Sequence, residues 1–69
     1  MRDPELPSER AERQLRQLVA GLPSGAQLPV VRQLAADLGT SGETVRRVLA
    51  KLSGEGLVIT RSRWGTFKA

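Results

Sequence analysis

The chain has no cysteine, no histidine and no tyrosine, and these absences exclude several kinds of site. Without cysteine there is no disulfide and no thiolate, and the further lack of histidine excludes a zinc site. The common pairs of nucleophile and base are missing too, so we expect no enzyme activity, no cofactor and no small-molecule site within the chain. No apolar run approaches the about 20 residues that span a bilayer, and no signal-peptide core follows Met1. A cytoplasmic protein with no membrane partner is expected.

Charge is distributed unevenly along the 69 residues, which suffice for one small domain. Acidic and basic residues cancel in residues 1–27, whereas residues 28–69 carry the whole net charge of +4. The bases of this second part are Arg32, Arg46, Arg47, Lys51, Arg61, Arg63 and Lys68, against Asp37, Glu43 and Glu55. After Glu55 the chain contains three bases and no acid. Such an asymmetric field favours a polyanion as the partner.

Residues 31–53 have the pattern of two helices joined by a short turn. Apolar residues recur at helical spacing in two stretches: Val31, Leu34, Ala35 and Leu38, then Val45, Val48, Leu49 and Leu52. Gly39 suits the C-cap of the first helix, and a hydroxyl in Thr40-Ser41 suits the N-cap of the second. So short a turn makes the helices cross steeply and share one core. The outer face of the second helix is then free to enter a DNA major groove.

The flanking segments complete a winged helix-turn-helix, a mainly α fold of three helices plus a small antiparallel β-hairpin. Residues 1–6 are predicted to be a flexible arm and residues 7–69 the folded domain, with Ser8 as the N-cap of the first helix. The hairpin, or wing, is predicted at about residues 57–68 with Arg61–Trp64 at its tip, and residues 26–28 can add a short strand. The predicted core comprises Leu15, Leu18, Val19, Leu22, Leu28, Val31, Leu34, Leu38, Val45, Val48, Leu49, Leu52, Leu57, Phe67 and one of Val58 and Ile59.

The second helix of the pair has a polar outer face. A step of about 100° per residue places outward, opposite Val45, the residues Glu43, Arg47 and Ala50, with Arg46 and Lys51 at the flanks. Arg47 is predicted to contact a base edge or a phosphate, and the alternative is a weak surface pair with Glu43. Glu43 either closes a capping box with Thr40 or positions Arg47, and both are favoured over a hydrogen bond from a cytosine amino group.

Four motifs follow one another along the chain, within about residues 7–69. They are Leu28-Pro29-x-x-Arg32-x-Leu34-Ala35, Leu38-Gly39-x-Ser41-x-x-Thr44-Val45-Arg46, Leu52-x-x-Glu55-Gly56-Leu57-Val58 and Gly65-Thr66-Phe67. Together they resemble the N-terminal domain of GntR-type bacterial transcriptional regulators. The resemblance implies a winged helix that binds palindromic operators in double-stranded DNA as a homodimer, usually as a repressor, in the bacterial cytoplasm at the nucleoid.

The chain departs from this family at two notable places. Where the family commonly has Ser-Glu, the chain has Val30-Val31, so the hydroxyl that normally caps the second helix is missing. Loss of such a cap costs about 1 kcal/mol unless neighbouring structure compensates. Where the family often has a basic residue that reads guanine, the chain has Gly42, so its bases must be read in another way.

Resemblance and charge together predict the DNA-binding residues. Arg32, Ser41, Thr44 and Arg46 match family positions that contact DNA, although Arg32 has a pair with Asp37 as its alternative. Arg61 and Arg63 are predicted to lie in or near a minor groove. The full predicted set is Arg32, Ser41, Gly42, Glu43, Thr44, Arg46, Arg47, Arg61, Arg63 and Gly65. Lys51 and Lys68 are expected only to add to the positive field. Trp64 suits a lid over the sheet as well as a contact with sugar or phosphate.

Two other functions fit the same pattern. One is a winged helix used for protein–protein contact through an apolar patch around Val30 and Trp64. In that case binding survives charge reversal at Arg47 and Arg63. The other is DNA binding in plasmid replication or maintenance, which the module's sequence does not separate from transcription.

Overall fold

The computed structural model describes residues 6–61 and 63–69, so residues 1–5 of the predicted arm, and Ser62 in the predicted wing tip, lie outside the described residues. Three helices, α1 (Pro7–Ala20), α2 (Val31–Leu38) and α3 (Gly42–Gly54), precede two strands, β1 (Val58–Arg61) and β2 (Gly65–Lys68). The strands pair as an antiparallel hairpin in which Ile59 lies opposite Phe67. The predicted winged helix-turn-helix is confirmed. No helix in the described ranges is long and apolar enough to cross a membrane.

The start of α1 differs from the prediction. Leu6 is the N-cap and Pro7 the first helical residue, a position where the fixed φ of proline is already helical and its missing N–H is no loss. The Leu6 N–H donates to Glu9 Oε1 at 3.0 Å, so a carboxylate closes the first turn. The prediction of Ser8 as the N-cap is therefore wrong, because Ser8 already lies inside the helix.

The turn between α2 and α3 is fixed by a glycine and a hydroxyl, as predicted. Gly39 adopts a left-handed conformation with φ of 65°, and its N–H closes the end of α2. Ser41 is the N-cap of α3, and its Oγ accepts the Thr44 N–H at 3.1 Å. The predicted capping box between Thr40 and Glu43 is wrong, because the cap lies one residue later. At the start of α2, Val30 occupies the N-cap without a side-chain hydrogen bond, as its sequence predicts.

The core lies between the three helices and β1. Its buried members are Ala11, Leu15, Val19, Leu28, Leu34, Val45, Val48, Leu49, Leu52 and Val58. The strand prediction left Val58 and Ile59 open, and Val58 is the inward residue while Ile59 is 44% exposed. Leu57 and Phe67 were predicted in the core, yet Leu57 is 36% exposed and Phe67 only partly buried. A two-stranded hairpin packs one face on the helices, and side chains alternate between its faces.

The segment before α2 ties the hairpin to the rest of the domain. The predicted strand over residues 26–28 reduces to one bridged residue, Gln27, which pairs with Phe67. Leu28 N donates to the Thr66 carbonyl, and Lys68 N to the Ala26 carbonyl, both at 2.8 Å. These bonds pair the backbone groups on the second edge of β2, so this strand has hydrogen-bond partners on both edges.

Candidate nucleic-acid interface

The first turn of α3 presents hydroxyls and backbone amides at the protein surface. Ser41 Oγ donates to Thr44 Oγ1 at 2.9 Å while it accepts the Thr44 N–H, so each hydroxyl holds the other in place. A Cβ at Gly42 would lie 3.5 Å from Val31 Cγ1, which is ordinary van der Waals contact. Glycine is therefore not required for packing there. The positive end of the helix dipole and its unpaired amides favour an anion at this place.

Arg46 and Arg47 both lie on the exposed side of α3, Arg46 on the flank nearer the wing and Arg47 on the flank nearer α1. Arg47 Nη2 lies 3.3 Å from Glu43 Oε1, and these side chains are 72% and 82% exposed. So long and exposed a pair contributes little and leaves Arg47 free to exchange its partner. Arg46 has no hydrogen-bond or ion-pair partner among the residues that the structure describes. The pair with Glu43 is the alternative that the spacing offered for Arg47.

A groove of about 360 Å³ connects α3 to the wing. Its lining consists of Val31, Arg46, Leu49, Ala50, Thr60 and Thr66. Arg46 therefore stands beside the hairpin face that carries Thr60 and Thr66. Arg47 lies on the other flank, where it borders a crevice that also contains Glu12 of α1. The two predicted arginines of α3 thus border different elements, Arg46 the wing and Arg47 α1.

Hydrogen bonds restrain the backbone of Trp64 at the wing tip. Arg63 has a positive φ of 74° and Gly65 one of 110°, and the Trp64 N–H donates to the Arg61 carbonyl at 3.1 Å. Gln27 Nε2 donates to the Trp64 carbonyl at 2.8 Å. Gly65 is needed for its φ, and a Cβ there would lie 2.8 Å from Gln27 Nε2, so the flexible end of the Gln27 side chain would have to shift.

Arg61 and Arg63 are exposed at this tip, and their guanidiniums have no partner among the described residues. Arg61 lines a hollow together with Ile59, on the hairpin face that carries neither Thr60 nor Thr66. The predicted site residues therefore form two groups. One group surrounds the start of α3, and the other, with Gly65, surrounds the hairpin tip.

Arg32 stands apart from both groups, exposed on α2. Its alternative pairing with Asp37 does not form, because Asp37 Oδ1 accepts a hydrogen bond from Gln33 Nε2 at 2.8 Å. Arg32 has no partner in the ranges that the structure describes. Its guanidinium is therefore available to a ligand.

Two bases expected only to add to the field have specific partners. Lys51 Nζ lies 3.0 Å from Glu12 Oε1. Lys68 Nζ donates to the Val19 carbonyl at 2.7 Å, and so places a positive charge at the C-terminal end of α1. Both partners belong to α1, whose charged face was interpreted as solvated. The spacing of charged residues along one helix does not show which residue of another element they pair with.

The Glu12–Lys51 pair belongs to a chain of ion pairs between α1 and the end of α3. Arg16 Nε lies 2.9 Å from Glu12 Oε2, and its two terminal nitrogens bind the Glu55 carboxylate at 2.8 and 2.6 Å. Lys51 and then Arg16 lower the pKa of Glu12, and Arg16 lowers the pKa of Glu55. Glu55 and Glu12 in turn raise the pKa of Arg16. Glu12, Arg16 and Glu55 therefore stay charged at neutral pH.

Residues 7–67 match the profile of a family described as bacterial regulatory proteins, gntR family. The HTH-type transcriptional regulator Rv1152 of Mycobacterium tuberculosis is 48% identical over 46 residues, which are 67% of this chain and 38% of that protein. The putative L-lactate dehydrogenase operon regulatory protein of Escherichia coli K12 is likewise 48% identical over 46 residues, 67% of this chain and 18% of that protein. The chain thus spans well under half the length of these relatives.

The fold is also that of a solved domain with a different sequence. The DNA-binding domain of AraR, in complex with operator ORX1, superimposes with a TM-score of 0.83 at 18% identity. The match covers 100% of this chain and 93% of that domain. At this identity the match shows a shared fold.

Proposed function

Since this chain belongs to the GntR family of bacterial regulatory proteins, we propose that it binds double-stranded DNA sequence-specifically as part of a transcriptional repressor. The observation that carries the proposal is Arg46 in the groove between α3 and the wing, whose guanidinium has no partner within residues 6–61 and 63–69. An exposed guanidinium without a carboxylate has its hydrogen-bonding capacity free for phosphate or guanine. Its position lets one polyanion contact the helix and the hairpin together.

α3 is the helix that enters the major groove in this proposal. Arg47 exchanges Glu43 for a base edge, and Glu43 holds the guanidinium in place before DNA arrives. Arg46 binds a phosphate or a base. Ser41 and Thr44, with the amides that begin at Gly42, bind a phosphate at the N-terminus of the helix.

The wing reaches the neighbouring minor groove. Arg61 and Arg63 approach this groove because its narrow width concentrates negative potential. Gly65 permits the backbone conformation that presents them. Arg32 on α2 binds the phosphate backbone and so fixes the orientation of the domain.

The functional unit in this proposal is a pair of copies on a palindrome. The AraR domain with the same fold forms a complex with an operator, which supports operator DNA as the ligand here. A symmetric operator places identical half-sites about one helical turn apart, so two copies bind them with equivalent contacts. We expect the isolated chain to be mainly monomeric and to pair on DNA. Sedimentation that shows a tight dimer without DNA would contradict this part.

Selection of bound duplexes from a random pool tests the proposal. The expected product is a palindromic consensus whose affinity falls with salt, with a slope of log K against log salt of about −3 to −5 per domain. The control is the double variant Arg47→Glu/Arg63→Glu, which should recover no consensus. A pool that yields no consensus, together with a salt-independent affinity, would refute DNA binding and favour a protein partner.

A further inference from the structure

Trp64 is a large aromatic side chain left in solvent at the tip of the wing. It is 72% exposed, although it is the only tryptophan of the chain. The side chains of Trp64, Arg61, Ile59 and Phe67 contribute to a shallow hollow of about 450 Å³ on the outward face of the hairpin. At this exposure Trp64 does not close over the sheet as a lid.

The backbone at Trp64 is restrained on both sides. Its N–H donates to the Arg61 carbonyl at 3.1 Å, and its carbonyl accepts from Gln27 Nε2 at 2.8 Å. The residue before it, Arg63, is held at a φ of 74°, which is costly for a residue with a Cβ. A restrained backbone limits the positions that the indole can take, and this lowers the entropy that a ligand must remove on binding.

The charges around the indole determine what can cover it. Arg61 and Arg63 both precede it in the turn, and neither guanidinium has a partner among the described residues. No acidic residue follows Glu55. An apolar protein surface laid over the indole would also bury these guanidiniums unpaired, which is unfavourable. A DNA minor groove instead offers sugar walls for the indole and phosphate rims for the arginines.

We propose that Trp64 is a DNA-contacting residue whose indole packs against the deoxyribose wall of the minor groove, beside phosphates bound by Arg61 and Arg63. The inference rests on the proposed DNA binding and adds an apolar contact to it. A tryptophan suits the place because its large apolar ring and its single N–H match a surface that is partly apolar and partly wet. Gln27 is a positioning residue that holds the turn on which the indole stands.

The fluorescence of the chain tests this contact directly. Because there is one tryptophan and no tyrosine, emission comes from Trp64 alone. The probe is a duplex recovered by the random-pool selection, added unlabelled for emission and fluorescein-labelled for anisotropy. We expect the emission to change and acrylamide quenching to fall, with the same midpoint as the anisotropy.

Variants separate the indole contact from the charges. Trp64→Ala should lower the affinity for the duplex about tenfold. The slope of log K against log salt should stay the same, since no charge is removed. Trp64→Phe, which keeps a ring, should recover most of the loss. The matched control is Leu57→Ala, an exposed apolar residue that immediately precedes β1, which should bind like the parent. Thermal melts of each variant check folding.

The outcomes distinguish this inference from the function on which it rests. If the duplex binds by anisotropy while Trp64→Ala binds equally well and quenching is unchanged, the indole contact is refuted and DNA binding stands. If the emission of the free chain shifts with protein concentration, a second copy covers the indole and the inference is also refuted. If no selected or random duplex binds at low salt, both proposals fail.

Discussion

Glu12 of α1 and Lys51 of α3 form an ion pair with a 3.0 Å separation between Oε1 and Nζ. Lys51 lies one turn after Arg47 on the same helix, and both border the crevice between α3 and α1. The Glu12 carboxylate thus neutralises the Lys51 ammonium. This ammonium lies beside the part of α3 that we propose contacts DNA. Arg16 Nε binds the other oxygen of this carboxylate, Glu12 Oε2, at 2.9 Å.

The first prediction is that Glu12→Gln strengthens binding to random-sequence duplex. The amide cannot neutralise Lys51, so the freed ammonium can bind a phosphate, and the slope of log K against log salt should become more negative by about 1. Fluorescence anisotropy across a salt series measures this slope. The matched control is Glu55→Gln, which removes the same charge but leaves the Glu12–Lys51 pair intact. Equal slopes in the two variants would mean that net charge alone is responsible.

The second prediction concerns Arg47. If its guanidinium contacts a base, Arg47→Ala should weaken binding to the selected duplex by about 1–3 kcal/mol more than it weakens binding to a random duplex. Removal of the 3.3 Å pair with Glu43 should leave the melting temperature nearly unchanged, because that pair is exposed. Arg32→Ala is the comparison, since removing a guanidinium that binds phosphate should weaken both duplexes equally. Equal weakening of both duplexes by Arg47→Ala would assign Arg47 to phosphate instead.

Local signals in the sequence were sufficient for the turn, and insufficient for the contacts between elements. Gly39 and Ser41 act within a few residues of themselves, so their cap roles follow from residue type and spacing. Gln27 and Trp64 are distant in the chain, and their hydrogen bond exists only because the hairpin folds back beside the segment before α2. No periodicity predicts such a meeting.

The interpretation of charge had the same limit. The basic excess follows from composition and the outward position of Arg47 from helical geometry, and in the structure Arg47 is exposed but lies on the flank nearer α1. The charged face of α1 has the alternating signs of a solvated helix, and therefore the bond from Arg16 to Glu55 could not be inferred. The hairpin was ambiguous because β-branched residues fill both faces of β1, and the packing on α3 selects Val58 as the inward one.

The third prediction is a loss of stability in acid. Folding lowers the pKa of Glu12 and of Glu55, so the folded state binds protons less readily than the unfolded chain. Their contribution is complete above the ordinary glutamate pKa of 4.5 and is lost as the pH falls below it. The melting temperature should therefore drop below pH 4.5, and the double variant Glu12→Gln/Glu55→Gln should show a smaller drop. Parallel curves for parent and variant would exclude this network as the cause.

The last prediction compares two glycines at the ends of α2 and α3. Gly39 has a φ of +65°, where an added Cβ meets strain whatever the space, so Gly39→Ala should destabilise the domain by about 1–2 kcal/mol. Gly54 is the last residue of α3 and a Cβ there meets nothing within 4 Å, so Gly54→Ala should be neutral or stabilise by up to about 1 kcal/mol. Urea unfolding of the two variants gives the difference. Because Gly39 sets the angle between α2 and α3, Gly39→Ala should also weaken binding to the selected duplex. Gly54→Ala should bind this duplex as tightly as the parent does. If both variants were destabilised equally, the left-handed turn would not be what fixes the crossing of these helices.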